Sequence, residues 1–176
     1  MMLVQPQVQA DPSVGIMLDN MISEWGGVPY PQLSVMLVHM RFLYLVHQTH
    51  HWTAKGDSYY GDHLLFERLY NAVVAEVDGL AEKAVGLGMI ENVNLPLQMS
   101  QLLKLTQGYG MSSTIPQPSE LAKRSLMAEQ SFLRVLDMIS CQLKQAGLMT
   151  RGLDNYIAGV QDTHEGHVYL LKQRCL

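Results

Sequence analysis

Apolar side chains recur every three or four residues along most of this chain, a spacing typical of amphipathic helices. The first stripe predicts a long helix from about Pro31 to Ala54, and the next predicts a helix that Ser58 caps and Gly88 stops. Two further stripes predict long helices on either side of Gly147. They consist of Phe132, Leu136, Ile139 and Leu143, and then of Leu153, Tyr156, Ile157, Val160, Val168 and Leu171.

Two shorter helices complete the pattern. Asp11 as N-cap and Pro12 at the first helical position predict a short helix that the Gly26-Gly27 pair ends. Another short helix is expected from Pro96 to about Leu105, ahead of a segment rich in glycine, serine and proline. Four long helices with a short one in the middle connection predict an all-α, ferritin-like four-helix bundle.

The length of 176 residues fits one folded domain. We assign residues 1–30 to an N-terminal extension with a short helix and residues 31–176 to the bundle domain. The apolar run at 33–46 is too short for a membrane span and contains His39 and Arg41. No basic region precedes an apolar stretch near the N-terminus, so a cytoplasmic protein without a membrane partner is expected.

Candidate chemistry lies on the helix that follows Ser58. His63 and Glu67 are four residues apart, Asp78 and Glu82 are four apart, and the spacing between the two pairs returns all four to one helix face. His63 and Asp78 are nevertheless about 22 Å apart along the helix axis, too far for one metal site. A single helix therefore carries two halves of a site.

A two-fold axis near Val73 would bring the two halves together, because it sets residues 63 and 67 of one copy beside residues 78 and 82 of another. His51 would join them from the neighbouring helix. Asp78 and Glu82 repel each other, and no lysine or arginine lies three or four residues from either. A cation, protonation or a basic partner from elsewhere in the protein is therefore required. If a metal fills this role, imidazole with carboxylate suits iron, zinc or manganese, with iron as the leading candidate.

The segments HHWTAKGDSYYGDHLLFERLY and EVDGLAEKAVGLG resemble the Dps family of mini-ferritins. The resemblance implies a dodecameric cage built from dimers, with a ferroxidase centre at each two-fold interface. It assigns His51, His63 and Glu67 of one subunit and Asp78 and Glu82 of the other as iron ligands. It also implies that Trp52, which by itself reads equally well as an interface aromatic, lies beside the iron and intercepts radicals.

The resemblance predicts an iron-detoxifying ferroxidase that oxidises Fe(II) with peroxide or dioxygen and stores ferric mineral. Each centre at the dimer interface would hold either two iron ions or one, and zinc is the substitute metal considered. The alternative is a structural or DNA-associated shell with purely structural metals. The segment MMLVQPQVQADPS has no basic residue and the net charge is −4, so DNA binding is not expected.

An iron centre within one chain, as in ordinary ferritins, is disfavoured by the sequence. No aspartate or glutamate lies between Trp25 and Gly56, and no glutamate is followed three residues later by histidine. The sequence HEGH at 164–167 resembles a metal cluster, but His164 continues an apolar stripe, which favours a hydrogen-bonded core histidine. His47 and His50 lie near His51 and are interpreted either as packing residues or as residues that support the metal ligands from behind.

Overall fold

The computed structural model describes residues 12–109 and 117–176, and every regular element in these ranges is helical. The six α-helices are α1 Pro12–Ser23, α2 Pro31–Thr53, α3 Tyr59–Leu87, α4 Leu95–Gly108, α5 Leu121–Gln145 and α6 Arg151–Cys175. Short 3₁₀ turns lie at Ile90–Val93 and Pro118–Glu120. None of the described helices is long and apolar enough to cross a membrane.

The four long helices form the bundle. Helix α2 packs against α3 and α5, and α6 packs mainly against α5. Short loops join α2 to α3 and α5 to α6, while α4 occupies the connection between α3 and α5 and packs on α2. The apolar stripes fill the core, where Leu37, Val73, Leu136 and Ile157 are almost completely buried. The predicted all-α, ferritin-like four-helix bundle is confirmed.

The helix ends agree with the predicted boundaries to within a few residues, but not every predicted cap is present. Ser58 occupies the N-cap of α3, yet its side chain makes no capping hydrogen bond. Its backbone angles of φ −91° and ψ 5° lie outside the extended region that normally aims a capping oxygen at the first turn. Thr150 does cap α6, by accepting from the backbone N–H of Leu153. The predicted cap at Asp11 lies outside the described residues.

His39 is a buried histidine in the middle of α2. Its Nδ1–H donates to the backbone oxygen of Val35 at 2.9 Å, and its Nε2 has no hydrogen-bond partner. Burial lowers the pKa of His39 to about 4, because the charged ring would lose its hydration without gaining an anionic partner.

We expect acid to destabilise the fold through His39. The unfolded chain binds a proton at this ring below about pH 6.5 and the folded chain only below about pH 4. The full stability of the fold with a neutral His39 is therefore present above about pH 6.5. As the pH falls to about 4, protonation of this ring in the unfolded chain lowers the free energy of unfolding by roughly 3 kcal/mol. In urea titrations near pH 7 and pH 4.5, His39→Leu should lose less stability on acidification than the parent protein. Equal acid sensitivity of the two proteins would show that this ring is not responsible.

Candidate metal centres

His51 and His63 face each other where the end of α2 meets the start of α3. Their rings stack with centroids 3.7 Å apart and an interplanar angle of 22°. The Nδ1 of His51 lies 2.9 Å from the carbonyl oxygen of His63, and the Nδ1 of His63 lies 3.1 Å from the carbonyl oxygen of His51. A carbonyl oxygen only accepts, so both Nδ1 atoms carry the proton and donate. In the neutral rings both Nε2 lone pairs are then free to bind a metal.

The three carboxylates of the predicted site follow along α3. Glu67 lies one turn beyond His63 and is partly buried, whereas Asp78 and Glu82 are exposed. None of the three forms an ion pair with a basic side chain in residues 12–109 and 117–176. Since α3 is continuous, Asp78 lies about 22 Å along its axis from His63. One chain thus brings the two histidines together and leaves Asp78 and Glu82 apart.

Trp52 follows His51 at the end of α2, and 68% of its surface is exposed.

An exposed apolar groove lies between α2, α3 and α4, next to the middle of α2. Its lining residues are Arg41, Tyr44, Leu45, Val74, Val77, Met99 and Leu102. Half or nearly half of the surface of Leu45, Val74 and Met99 is exposed, so this single subunit presents apolar side chains to solvent around the middle of α3.

A second group of metal-ligand types lies in the bundle core around Glu129 of α5. Glu129 is completely buried, and three histidine nitrogens approach its carboxylate. His47 Nε2 is 2.7 Å and His167 Nδ1 3.1 Å from its Oε1, and His164 Nδ1 is 2.5 Å from its Oε2. We call these four residues together with Glu76 the core cluster.

His164 lies between two carboxylates. Its Nδ1 faces Glu129, and its Nε2 is 3.0 Å from Oε2 of Glu76 on α3. A carboxylate accepts hydrogen bonds, so both ring nitrogens carry protons and His164 is an imidazolium. Burial opposes this charge, but the charges and hydrogen bonds of Glu129 and Glu76 outweigh it and raise the pKa of His164 to about 9.

The charge on Glu129 is stabilised by its histidine partners. Burial favours the neutral acid, but the charge of His164 and hydrogen bonds from His164, His167 and His47 hold the pKa of Glu129 well below its usual value. Burial lowers the pKa of His47, which is therefore a neutral ring that donates through Nε2. Its Nδ1 then accepts from the hydroxyl of Ser125, 3.2 Å away. The cluster thus holds Glu129 charged and oriented.

The sequence interpretation did not assign Glu76 or Glu129 to any site. An iron centre within one chain was expected to need a carboxylate on the first long helix, whereas in the structure this helix supplies His47 to the cluster. One signal was present: Glu129 precedes Phe132 by three residues and so lies on the buried stripe of α5. The prediction that His164 is a hydrogen-bonded core histidine is confirmed.

The sequence matches no family model. It is 32% identical over 76 residues to an uncharacterised protein of Haemophilus influenzae, a match that covers 43% of this chain and 45% of that protein. The similarity therefore spans less than half of the relative.

Two solved structures resemble the whole chain. The X-ray structure of Dps from Thermosynechococcus elongatus superposes with a TM-score of 0.66 at 19% identity, covering 93% of this chain and 95% of that one. DpsC from Streptomyces coelicolor superposes with a TM-score of 0.67 at 15% identity, covering 99% of this chain and 92% of that one. Identities this low establish likeness of fold. The chain therefore has the Dps-like form of the ferritin fold.

Proposed function

We propose that this protein is an iron-oxidising and iron-storing mini-ferritin. Fe(II) binds at centres shared between two subunits, is oxidised by peroxide or dioxygen, and is stored as ferric mineral in a dodecameric cage. The observation that carries the proposal is the stacked pair His51 and His63, whose Nδ1–H groups are both engaged by backbone carbonyls. This arrangement leaves the Nε2 lone pair of each of the two stacked rings free to bind a metal at a helix junction.

The donor set of the shared centre suits Fe(II). His51, His63 and Glu67 of one subunit supply two imidazoles and a carboxylate, and Asp78 and Glu82 of a second subunit supply two more oxygen donors. The protein holds the ion with positions open to the oxidant. Each Fe(II) gives up one electron, and a peroxide that receives two electrons and two protons leaves as two water molecules.

The exposed groove between α2, α3 and α4 supports a second copy of this chain as the partner. Val74 belongs to the groove and follows Val73, near which the residue spacing predicts the two-fold axis. A copy docked there in the isologous arrangement covers the apolar side chains. It also sets residues 63 and 67 of each subunit against residues 78 and 82 of the other. Trp52, exposed in one subunit, would then adjoin the iron, where an oxidisable ring intercepts radicals.

Activity of the purified protein tests the proposal. Under anaerobic conditions, Fe(II) followed by peroxide should give rapid peroxide consumption with about two Fe(II) oxidised per peroxide, and little hydroxyl radical should be trapped. Stopped-flow absorbance of the ferric product measures the rate. Oxidation no faster than in buffer with the same amount of free Fe(II) would contradict the proposal and favour a structural shell.

The assembly is tested independently. Light scattering should give a mass on the order of twelve times the 19.8 kDa monomer, since the proposed cage contains six isologous dimers joined by further contacts. A stable monomer at micromolar concentration would contradict both the cage and the shared centre.

A further inference from the structure

The core cluster contains a set of side chains with the geometry of a metal site. One ligand atom each from Glu129, His164 and His167 lies within 4.8 Å of the others, and all three residues are buried. Helix α5 supplies Glu129, and α6 supplies His164 and His167 one turn apart. The three residues come from a single chain, so they do not depend on the subunit interface.

We propose that Glu129, His164 and His167 form a second metal site, inside each subunit, for a divalent first-row transition-metal ion such as Fe(II) or Zn(II). Two imidazoles and one carboxylate suit these two ions. In this site the ion lies between the Nδ1 atoms of the two histidines and the carboxylate of Glu129.

The surrounding hydrogen bonds hold these ligands in position. With Nδ1 of His164 on the metal, its Nε2–H still donates to Glu76, an arrangement in which a carboxylate orients a metal-bound imidazole. His47 donates from Nε2 to Oε1 of Glu129 and so fixes the carboxylate from α2. Glu76 and His47 are therefore positioning residues, and their helices α3 and α2 close the site on two further sides.

The charges of the core cluster also call for a cation. Glu76 and Glu129 carry two negative charges, and neither pairs with lysine or arginine within residues 12–109 and 117–176. Burying such a set costs stability that an apolar core would not cost, so its presence calls for a role beyond packing. A divalent cation bound by neutral histidines balances both carboxylates.

Two side chains of the core cluster lie nearest to solvent. The side chain of His167 is 6% exposed and that of Glu76 is 14% exposed, whereas Glu129 and His164 are closed off. The Nε2 of His167 has no hydrogen-bond partner in the described part of the chain. In this proposal a metal ion enters past His167 and Glu76.

The test uses a background variant without the shared centre, carrying His63→Ala, Glu67→Ala, Asp78→Ala and Glu82→Ala. After incubation with zinc and dialysis, the background variant should retain about one zinc ion per subunit by mass spectrometry of the metal. Adding His167→Gln should weaken zinc binding more than tenfold, since losing even a hydrogen-bond partner of a metal ligand costs about 10- to 100-fold. Adding His39→Leu, which removes a buried histidine outside the cluster, should leave it unchanged.

Anomalous diffraction at the zinc edge then locates the ion. We expect a peak about 2.0–2.2 Å from donor atoms of Glu129, His164 and His167 in the background variant. In a further variant, Glu76→Gln, the peak should keep its place while the affinity falls about 10- to 100-fold. Absence of bound zinc, or a peak elsewhere, in a background variant that is folded by circular dichroism would overturn the proposal. Because this variant keeps only His51 of the five interface ligands, the result is independent of whether the shared centre oxidises iron.

Discussion

Replacement of Glu129 by alanine is expected to lower the free energy of unfolding of the metal-free protein by about 3–5 kcal/mol. The substitution removes the carboxylate that accepts hydrogen bonds from His47, His164 and His167. It leaves a buried imidazolium at His164 with only Glu76 as an anionic partner, and it opens a cavity beside them. Losing one partner of a buried charged network costs far more than losing an exposed ion pair.

The matched control is Glu165→Ala. Glu165 lies on α6 beside His164 in sequence, but its side chain is exposed, and its removal should change stability by less than about 0.5 kcal/mol. Urea denaturation at neutral pH, in the presence of a chelator, compares the two variants. Equal stability of Glu129→Ala and Glu165→Ala would mean that the core cluster contributes nothing to the fold.

A second large effect is expected at the shared centre. His63→Ala combined with Glu67→Ala should slow Fe(II) oxidation by at least about 100-fold. The centre loses two ligands, and losing even one hydrogen-bond partner of a ligand costs about 10- to 100-fold. The initial rate of ferric absorbance at fixed Fe(II) and peroxide measures this loss. Glu165→Ala, which removes an exposed acid elsewhere, should retain the parental rate.

Asp78→Ala combined with Glu82→Ala should slow oxidation to the same extent. In one chain these residues lie about 22 Å along α3 from His63, too far to touch the same ion. Equal loss from two distant pairs is therefore the signature of a centre built across an interface. A parental rate in the Asp78 and Glu82 variant would confine the centre to one subunit.

The fold was predictable because its determinants are local. Four stripes at helical spacing, glycines near helix ends and a short helix in the crossover are sufficient to define the bundle. The juxtaposition of His51 and His63 follows from the same logic, since both lie close to the short α2–α3 loop. The failure of Ser58 as a cap is also local, but it depends on backbone angles that residue type does not determine.

The core cluster was not predictable in the same way. Glu129 is 82 residues from His47 and 35 from His164, and Glu76 is 88 from His164. Periodicity shows that each lies on an inward face, but not at which level of the bundle they meet. A carboxylate was expected on the first long helix of any site within one chain. A cluster in which this helix contributes a histidine, His47, was therefore not considered.

Co-assembly of the two paired variants tests most directly whether the centre is shared. Each variant alone breaks half of the ligands in every centre. When His63→Ala/Glu67→Ala and Asp78→Ala/Glu82→Ala chains are unfolded together and refolded, about half of the dimers should be mixed. Each mixed dimer has one centre with all its ligands and one centre that lacks both the 63/67 pair and the 78/82 pair. Rapid Fe(II) oxidation should therefore return to about a quarter of the parental amplitude. Mixed cages of the correct mass that oxidise iron no faster than either variant alone would contradict a centre shared between subunits.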